Sequence, residues 1–549
     1  MIIYIVMFAL MLVLAYPLCI KNPSKLKNGI YIGAVFLMFY LVSVFRYGIG
    51  NDYLSYMQIF DDIYRADWGQ IFALGYEPGF ALLTKLISAV TTDITAIYCI
   101  YAPFILVPAA IAIYKYSKNV WISCIAYMCL TFFYASMSFI RQSIAASIIL
   151  LAFCFLRDRK IVPMILMALL ATAFHYTALV ILPLFLFAVL FKPTKKSLII
   201  YGSVTVVVYA AYMILLKGFG INPLNLIADA ATAVFRKDFS SYIGTVFFQN
   251  GLDWYYVIMP LAVLAITLIA YFKGWGEKNS EARVLTNFML FTATFWLFST
   301  IVFILERFSM YMFIYVVLAL PSMLEYYKDY LAEKNKKILK KSEKKSNNYP
   351  LYAGLLVAGL FAYNVFGMCV GYHGVFPYVC NIPEIEQVSN NSLNAQEKYE
   401  KLRGTKDIYR YLIMLKDSNY GYIISSQNAD YSGINSTVVR AFNYLGIDTS
   451  FIDENKNVYI AAQNGVVTDE VISDTNISSV YELGGKTYDI VSGDISSVAV
   501  KNEDGGYSSA FDGLNVLVFD AASGTAIDFM SWNTANIRLT YNGSITWGE

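Results

Sequence analysis

Between residues 2 and 370 the chain passes repeatedly through apolar stretches, most of them 17–21 residues long, separated by short polar loops. A helix of about 20 apolar residues crosses a hydrocarbon layer of roughly 30 Å, so this recurrence constrains the fold more than any other feature. Twelve spans are expected, at about 2–20, 29–45, 96–114, 119–137, 140–156, 161–174, 176–191, 198–216, 252–272, 285–304, 308–326 and 350–370. The first stretch has no charged leader and no small-residue cleavage site, and reads as a retained span. The segment at 75–92 is only partly apolar and carries Lys85; it reads as a short interfacial or re-entrant helix outside that count.

Charge divides the chain. Residues 1–370 hold 30 Lys/Arg against 17 Asp/Glu, while residues 371–549 hold 11 against 22. A basic membrane part thus precedes an acidic, water-soluble part. Lysines and arginines gather in short loops around Lys21–Lys27, Lys115–Lys118, Arg157–Lys160 and Lys192–Lys196, and eight lysines fill 327–349. With twelve spans these loops share one face, which the positive-inside rule makes cytoplasmic. The N-terminus and the tail from 371 onward then lie outside. This count requires 161–191 to be two short segments hinged at His175, because one long helix would invert every loop that follows. Interrupted spans are also where membrane proteins place binding sites.

The tail has another texture. Helical stretches are expected at 392–416 and 435–447, with short strands near 421–426, 457–462, 486–491, 496–501, 514–519 and 536–541. Gly-Gly and Asp-Gly turns break them, as in an α+β or β-sandwich-like domain. The expected organisation is a polytopic all-α membrane domain over 1–380, a helical linker over 381–419, and an extracytoplasmic accessory domain over 420–549. None of the seven cysteines forms a metal-binding spacing, and no metal, cofactor or nucleic-acid partner is expected.

Polar clusters interrupt the apolar background: Arg46 with Gly48, Gly50, Asp52, Tyr53 and Tyr56; Glu77-Pro78-Gly79; Arg141-Gln142; His175; and Glu306-Arg307. An ionisable group in lipid costs several kcal/mol unless it is paired or lines a wet cavity. For Arg141 the plain alternative is a helix-holding salt bridge to Glu77, Asp52 or Glu306; the functional one is a grip on an anion, which the guanidinium fork suits better than lysine. Arg46 reads either as a snorkelling interfacial residue or as part of a tight turn that brings backbone to a ligand. His175 either packs with one hydrogen bond or moves a proton. The residues therefore point to an anionic head bound at one membrane face and acted upon, with a transporter as the rival reading.

The same ordered motifs resemble those of the EpsG-type, Wzy-like exopolysaccharide polymerases. Arg46 with Gly50, Asp52, Tyr53 and Tyr56 is followed by Glu77-Pro78-Gly79-Phe80, then by Phe139, Arg141 and Gln142 with Ala145 and Ala146, then by Ala171, Phe174 and His175. Glu306-Arg307-Phe308 and Tyr372, His373, Gly374, Pro377 and Tyr378 complete the set, so the resemblance covers about 1–380. It implies a metal-independent membrane glycosyltransferase, loosely similar to the GT-C class, acting on undecaprenyl-pyrophosphate-linked oligosaccharide repeats in the plasma membrane. The nascent polysaccharide would leave its lipid diphosphate for a sugar hydroxyl of the next repeat, beside a chain-length regulator and a flippase of the same pathway. Arg141 and Arg46 would stabilise the departing diphosphate, with Arg307 next, and His175, Asp52 or Glu77 would serve as base. Tyr53, Tyr56 and Gln142 would contact substrate. A flippase or exporter of the same lipid-linked oligosaccharide is the alternative.

Residues 420–545 resemble the interleukin-like EMT inducer or PANDER-like domain, through "GYIISSQNAD", "NVYIAAQNG" and "GLNVLVFDAASGTAIDFMSWNT". Where that family usually ends the last piece in Phe-Asp-Thr, this chain has Trp532, Asn533 and Thr534. Trp532 is expected either to stack on a sugar or to fill the core. An acidic external domain suits a neutral glycan or a basic protein partner.

Overall fold

The computed structural model describes residues 1–91, 96–215, 219, 258–300, 304–338, 349–391, 393–405, 407–483, 485–501, 506–508, 512–535 and 541–544. Most of the loop at 217–251, residues 339–348 of the lysine-rich loop and most of the strand expected at 536–541 lie outside the described residues. The chain divides into two compact units. One comprises Met1–Ser43, Trp68–Lys85 and Ile100–Pro377; the other comprises Val44–Asp67, Leu86–Cys99 and Tyr378–Glu549.

The first unit is helical. Among the described residues of the chain, five helices are long and apolar enough to cross a membrane: Ile2–Ile20, Lys25–Val44, Ile97–Tyr116, Lys195–Met213 and Tyr349–Cys369. Two bent pairs raise the number to seven if each is one span. Ile140–Leu151, Ile161–Phe174, Tyr176–Leu190 and Ile258–Phe272 are apolar but shorter. The expected straight span at 119–137 is instead Val120–Cys129 followed by Phe132–Ser138, bent by 48°. Its break is at Thr131, whose φ of 70° no helix interior accommodates. Around 308–326 the helix is likewise bent, by 46°, between Phe313 and Val316. Breaks of this kind free backbone groups inside an apolar bundle, where they must find partners or line a cavity.

Aromatic packing holds this unit. Tyr4 meets Tyr134 and Phe376 edge-on at 5.1 and 4.9 Å, and its hydroxyl donates to the Val375 carbonyl at 3.0 Å. Tyr134 in turn donates to Asn364 Oδ1 at 2.8 Å. Each buried ring thus spends its one polar atom on a partner in a distant part of the sequence, as a buried tyrosine must.

The second unit is built on two antiparallel sheets. Strands β1 (Tyr420–Gln427), β2 (Asn457–Gln463), β3 (Val466–Ser473), β8 (Gly513–Asp520), β9 (Ala526–Trp532) and β10 (Tyr541–Ser544) form one sheet, in the order β10-β9-β8-β1-β2-β3. Strands β4 (Ile477–Leu483), β5 (Lys486–Ser492), β6 (Ser497–Val500) and β7 (Gly506–Ser508) form the other. Ile423 pairs with Ala461 on one side and Leu517 on the other, and this row faces Tyr488, Ile490 and Val498 of the second sheet in one core. Every residue of β1 is buried, so the opposite face is covered as well. There Tyr411 donates to Asp528 Oδ2 at 2.8 Å and meets the Trp532 ring edge-on at 5.0 Å.

The stretch 381–419, expected as a helical linker, folds as the helices Pro383–Asn391, Ala395–Gly404 and Ile408–Met414, the last two against the first sheet. Arg403 donates through Nε to the Ile527 carbonyl at 2.8 Å, and Tyr399 bonds Asp520. Strands β3, β4, β7 and β9 were not among those expected from sequence. In β3 the polar run Thr468–Glu470 interrupts the apolar residues, and in β4 Ser478 and Ser479 do, a pattern that resembles loop until the pairing is known.

Candidate functional site

In the helical unit the polar motifs converge where helices break. Glu77 immediately precedes the helix Pro78–Ser88, and its carbonyl accepts the Ala81 N–H at 2.8 Å. Pro78 suits the first helical position, where its missing N–H and fixed φ cost nothing. Gly79 has a separate reason: a Cβ there would stand 2.9 Å from the Ala173 carbonyl oxygen and 3.1 Å from its Cβ. Only glycine lets this helix approach Ile161–Phe174 closely enough for Glu77 to reach the residue after it. That residue is His175, where the backbone leaves the helix (φ −156°, ψ 116°) before a short 3-10 turn over Tyr176–Val180. Ala171, fully buried, supplies the carbonyl that accepts the His175 N–H at 3.0 Å.

Glu77 lies between two partners. Its Oε2 accepts from Arg141 Nη1 at 2.6 Å, and its Oε1 accepts from His175 Nδ1 at 2.8 Å and from the Tyr176 N–H at 3.4 Å. Of the three salt-bridge partners weighed for Arg141, the structure selects Glu77. Burial pushes the Glu77 carboxyl up, but the His175 hydrogen bond and the Arg141 charge outweigh it and hold the group at about 2. An ionised carboxylate only accepts hydrogen bonds, so His175 Nδ1 carries the proton and Nε2 is left as acceptor when the ring is neutral. Arg141, near the N-terminus of Ile140–Leu151, lies 5.7 Å above the Phe80 ring, which explains the aromatic residue closing the Glu-Pro-Gly-Phe motif.

Gln142, next in the helix, donates from Nε2 to the Arg307 carbonyl at 2.6 Å. The Arg307 guanidinium sits 5.1 Å from the Phe139 ring centroid. Gln142, Glu306, Arg307, Phe139 and His373 line one small cavity of about 50 Å³. His373 is pushed down to about 4 by burial; it faces the edge of Phe139 at 5.4 Å and Tyr372 at 6.0 Å.

Arg46 belongs to the other unit. It forms an antiparallel bridge with Cys380, and Tyr47 N–H donates to the Val379 carbonyl at 3.0 Å. Gly48 and Gly50 follow at φ of 62° and 103°, conformations that favour glycine, and turn the chain into the helix Tyr53–Arg65. Arg46 is 3% exposed and lies 4.4 Å from the Tyr98 ring and 5.9 Å from Tyr53, themselves stacked at 4.6 Å. Tyr98 donates to the Tyr53 carbonyl at 2.7 Å, and Tyr47 to Asp407 Oδ2 at 3.1 Å. Asp52, half-buried, precedes that helix and its carbonyl accepts the Tyr56 N–H at 2.9 Å; Tyr56 is buried. A snorkelling Arg46 is thereby corrected: the residue is caged. Trp532 resolves similarly. It is fully buried, so of its two alternatives the core is the one observed, and it presents no face to a sugar.

Sequence reasoning named Phe139 in a motif without placing it against Arg307, and it overlooked Tyr98 beside Arg46 and Asp407 on Tyr47. Tyr98 lies inside an apolar run, where an aromatic residue carries no local signal. Among the described residues no three His, Cys, Asp or Glu side chains gather as a metal-holding group would.

These observations define a helical membrane protein whose charged side chains meet at interrupted helices, joined to a β-rich unit. Over residues 29–379 the chain matches the EpsG family, and it belongs to that family. Membership brings an exopolysaccharide-polymerase type of role, and the matched region contains every candidate site residue except Trp532. No curated protein matches the chain.

Proposed function

We propose that this protein joins undecaprenyl-pyrophosphate-linked oligosaccharide repeats at the outer face of the plasma membrane, and that the Arg141–Glu77–His175 cluster is its catalytic centre. That cluster is the observation that carries the reading. Glu77, held ionised, is a positioning residue rather than the base. It fixes the imidazole with Nε2 free, and Nε2 takes the proton from the acceptor sugar hydroxyl. The hydroxyl oxygen forms a bond to the anomeric carbon of the growing chain as the bond from that carbon to the diphosphate breaks. The lipid diphosphate departs with the electron pair. Arg141 lies beside the path of that charge, and a guanidinium preorganised in an apolar site stabilises it without waiting for solvent.

The membrane arrangement proposed is twelve spans with both the N-terminus and the β-rich unit outside, in line with the lysine-rich loops. The β-rich unit then holds glycan as an accessory to polymerisation, beside a chain-length regulator and a flippase. Arg141→Ala is expected to abolish polymer while single repeats and protein level persist; wild-type chain lengths in that variant would remove it from the site. In liposomes loaded with lipid-linked repeats on one leaflet, a ladder of longer glycans is expected. Transfer of unchanged substrate across the bilayer would instead indicate a flippase.

A further inference from the structure

An apolar groove of about 470 Å³ runs between the helices Ile258–Phe272, Ser280–Ser299, Val316–Ile338 and Tyr349–Cys369. Val263, Ile266, Leu320, Met323, Leu355 and Gly359 are representative of its walls. The Thr267 hydroxyl, which also lines it, is turned back onto the Val263 carbonyl at 2.7 Å, so it does not make the groove polar. Leu130 and Tyr363 line both this groove and the small cavity that holds Arg307, Gln142, Glu306 and His373. The apolar groove and the cavity that holds the Arg307 guanidinium are therefore neighbours with two walls in common.

We infer that the groove holds the proximal isoprene units of a polyprenyl diphosphate, with the diphosphate in the Arg307 cavity. This rests on the glycosyl-transfer reading and deepens it by naming a second anion site apart from Arg141. Charge complementarity argues for this occupant over a neutral lipid, and the two walls shared by groove and cavity argue for one molecule filling both. The Gln142 bond to the Arg307 carbonyl and the Phe139 ring hold the arginine in place, which lowers the cost of ordering it around an anion. Glu306 limits the pose. The diphosphate lies toward Arg307, and the Glu306 carboxyl is left to hydrogen-bond sugar hydroxyls.

Gly359 provides the test, because a Cβ built there meets nothing within 4 Å, and Gly354 on the same helix is equally open but does not line the groove. Binding of undecaprenyl diphosphate and of methyl diphosphate, a short probe with no isoprene unit, both without sugar, is measured on full-length protein in nanodiscs. Gly359→Phe is expected to weaken the long-chain probe at least about tenfold, the equivalent of 1.4 kcal/mol, and to leave the short one unchanged. Gly354→Phe is expected to change neither, and Arg307→Met to weaken both. Equal effects of Gly359→Phe on both probes, no effect on either, or displacement of the long probe by phosphatidylglycerol at equal concentration would overturn the groove. Because the readout is binding, a protein that prefers the long chain yet makes no polymer would refute the glycosyl-transfer reading while leaving the groove standing.

Discussion

Arg141 and Arg46 have the same side chain and were expected to share a task, but their surroundings differ. Arg141 is held from one side by the Glu77 carboxylate and keeps 26% of its side chain exposed. Arg46 is almost wholly enclosed, flanked by the rings of Tyr98 and Tyr53 and fixed by backbone pairing to Cys380. One guanidinium is aimed and accessible, and the other is sealed. The two also fall in different compact units. A conspicuous arginine therefore identifies a place where charge has been accommodated, and only its environment separates chemistry from architecture.

That contrast can be broken by experiment. The largest effect is expected at the catalytic cluster: Arg141→Ala or Glu77→Ala should lower polymer formation by about 10²–10³-fold or more, the scale of losing one preorganised charge contact. A variant retaining a tenth of wild-type activity would mean the pair is only structural. Trp532→Ala is expected to cost about 3–5 kcal/mol of stability, as buried aromatic truncations do, read as early unfolding of full-length protein. Unchanged stability together with lost glycan binding would restore the sugar-stacking role.

Arg46→Met follows, with a loss of about 2 kcal/mol from the desolvated cation–π contacts and near-normal turnover per folded molecule. A catalytic defect without destabilisation would return Arg46 to the active site. Ser492→Ala should cost a similar amount, about 1–3 kcal/mol, because Ser492 Oγ accepts the Ser426 N–H at 2.9 Å and lies 2.7 Å from the Val458 carbonyl, tying β5 to β1 and β2. Melting temperature against wild type measures it.

The pH dependence is smaller and separates Glu77 from His373. Glu77 is held below its ordinary 4.5, at about 2, so its stabilisation is complete above 4.5 and fades as pH falls toward 2. His373 is held below its ordinary 6.5, at about 4; the unfolded chain takes up that proton first, and stability falls as pH drops from 6.5 toward 4. Thermal unfolding between pH 4 and 8 is expected to show a steeper decline toward pH 4 in wild type than in His373→Gln. An identical decline in that variant would assign it elsewhere.

The break at His175 was legible because one long helix would have stranded the lysines after it on the wrong face, a constraint that acts along the chain. The reason for Gly79 was not legible, since it lies in the Ala173 carbonyl nearly a hundred positions away. The tail was partly legible. Strands β1 and β8 contain the short apolar runs Tyr422–Ile424 and Val516–Phe519, whereas β3 and β4 declare themselves only through pairing with neighbours.

By itself the sequence determined that this chain has an apolar helical part and a β-rich acidic part, because hydrophobic period and charge are local properties. It also singled out the few charged residues that an apolar environment must accommodate. Which of them meet was decided by tertiary structure alone. Glu77, Arg141 and His175 come together through helix breaks and a glycine contact between distant segments, whereas Arg46 is drawn into a cage of tyrosines. The pairing of buried charges depends on distances through space, and no spacing along the chain encodes those.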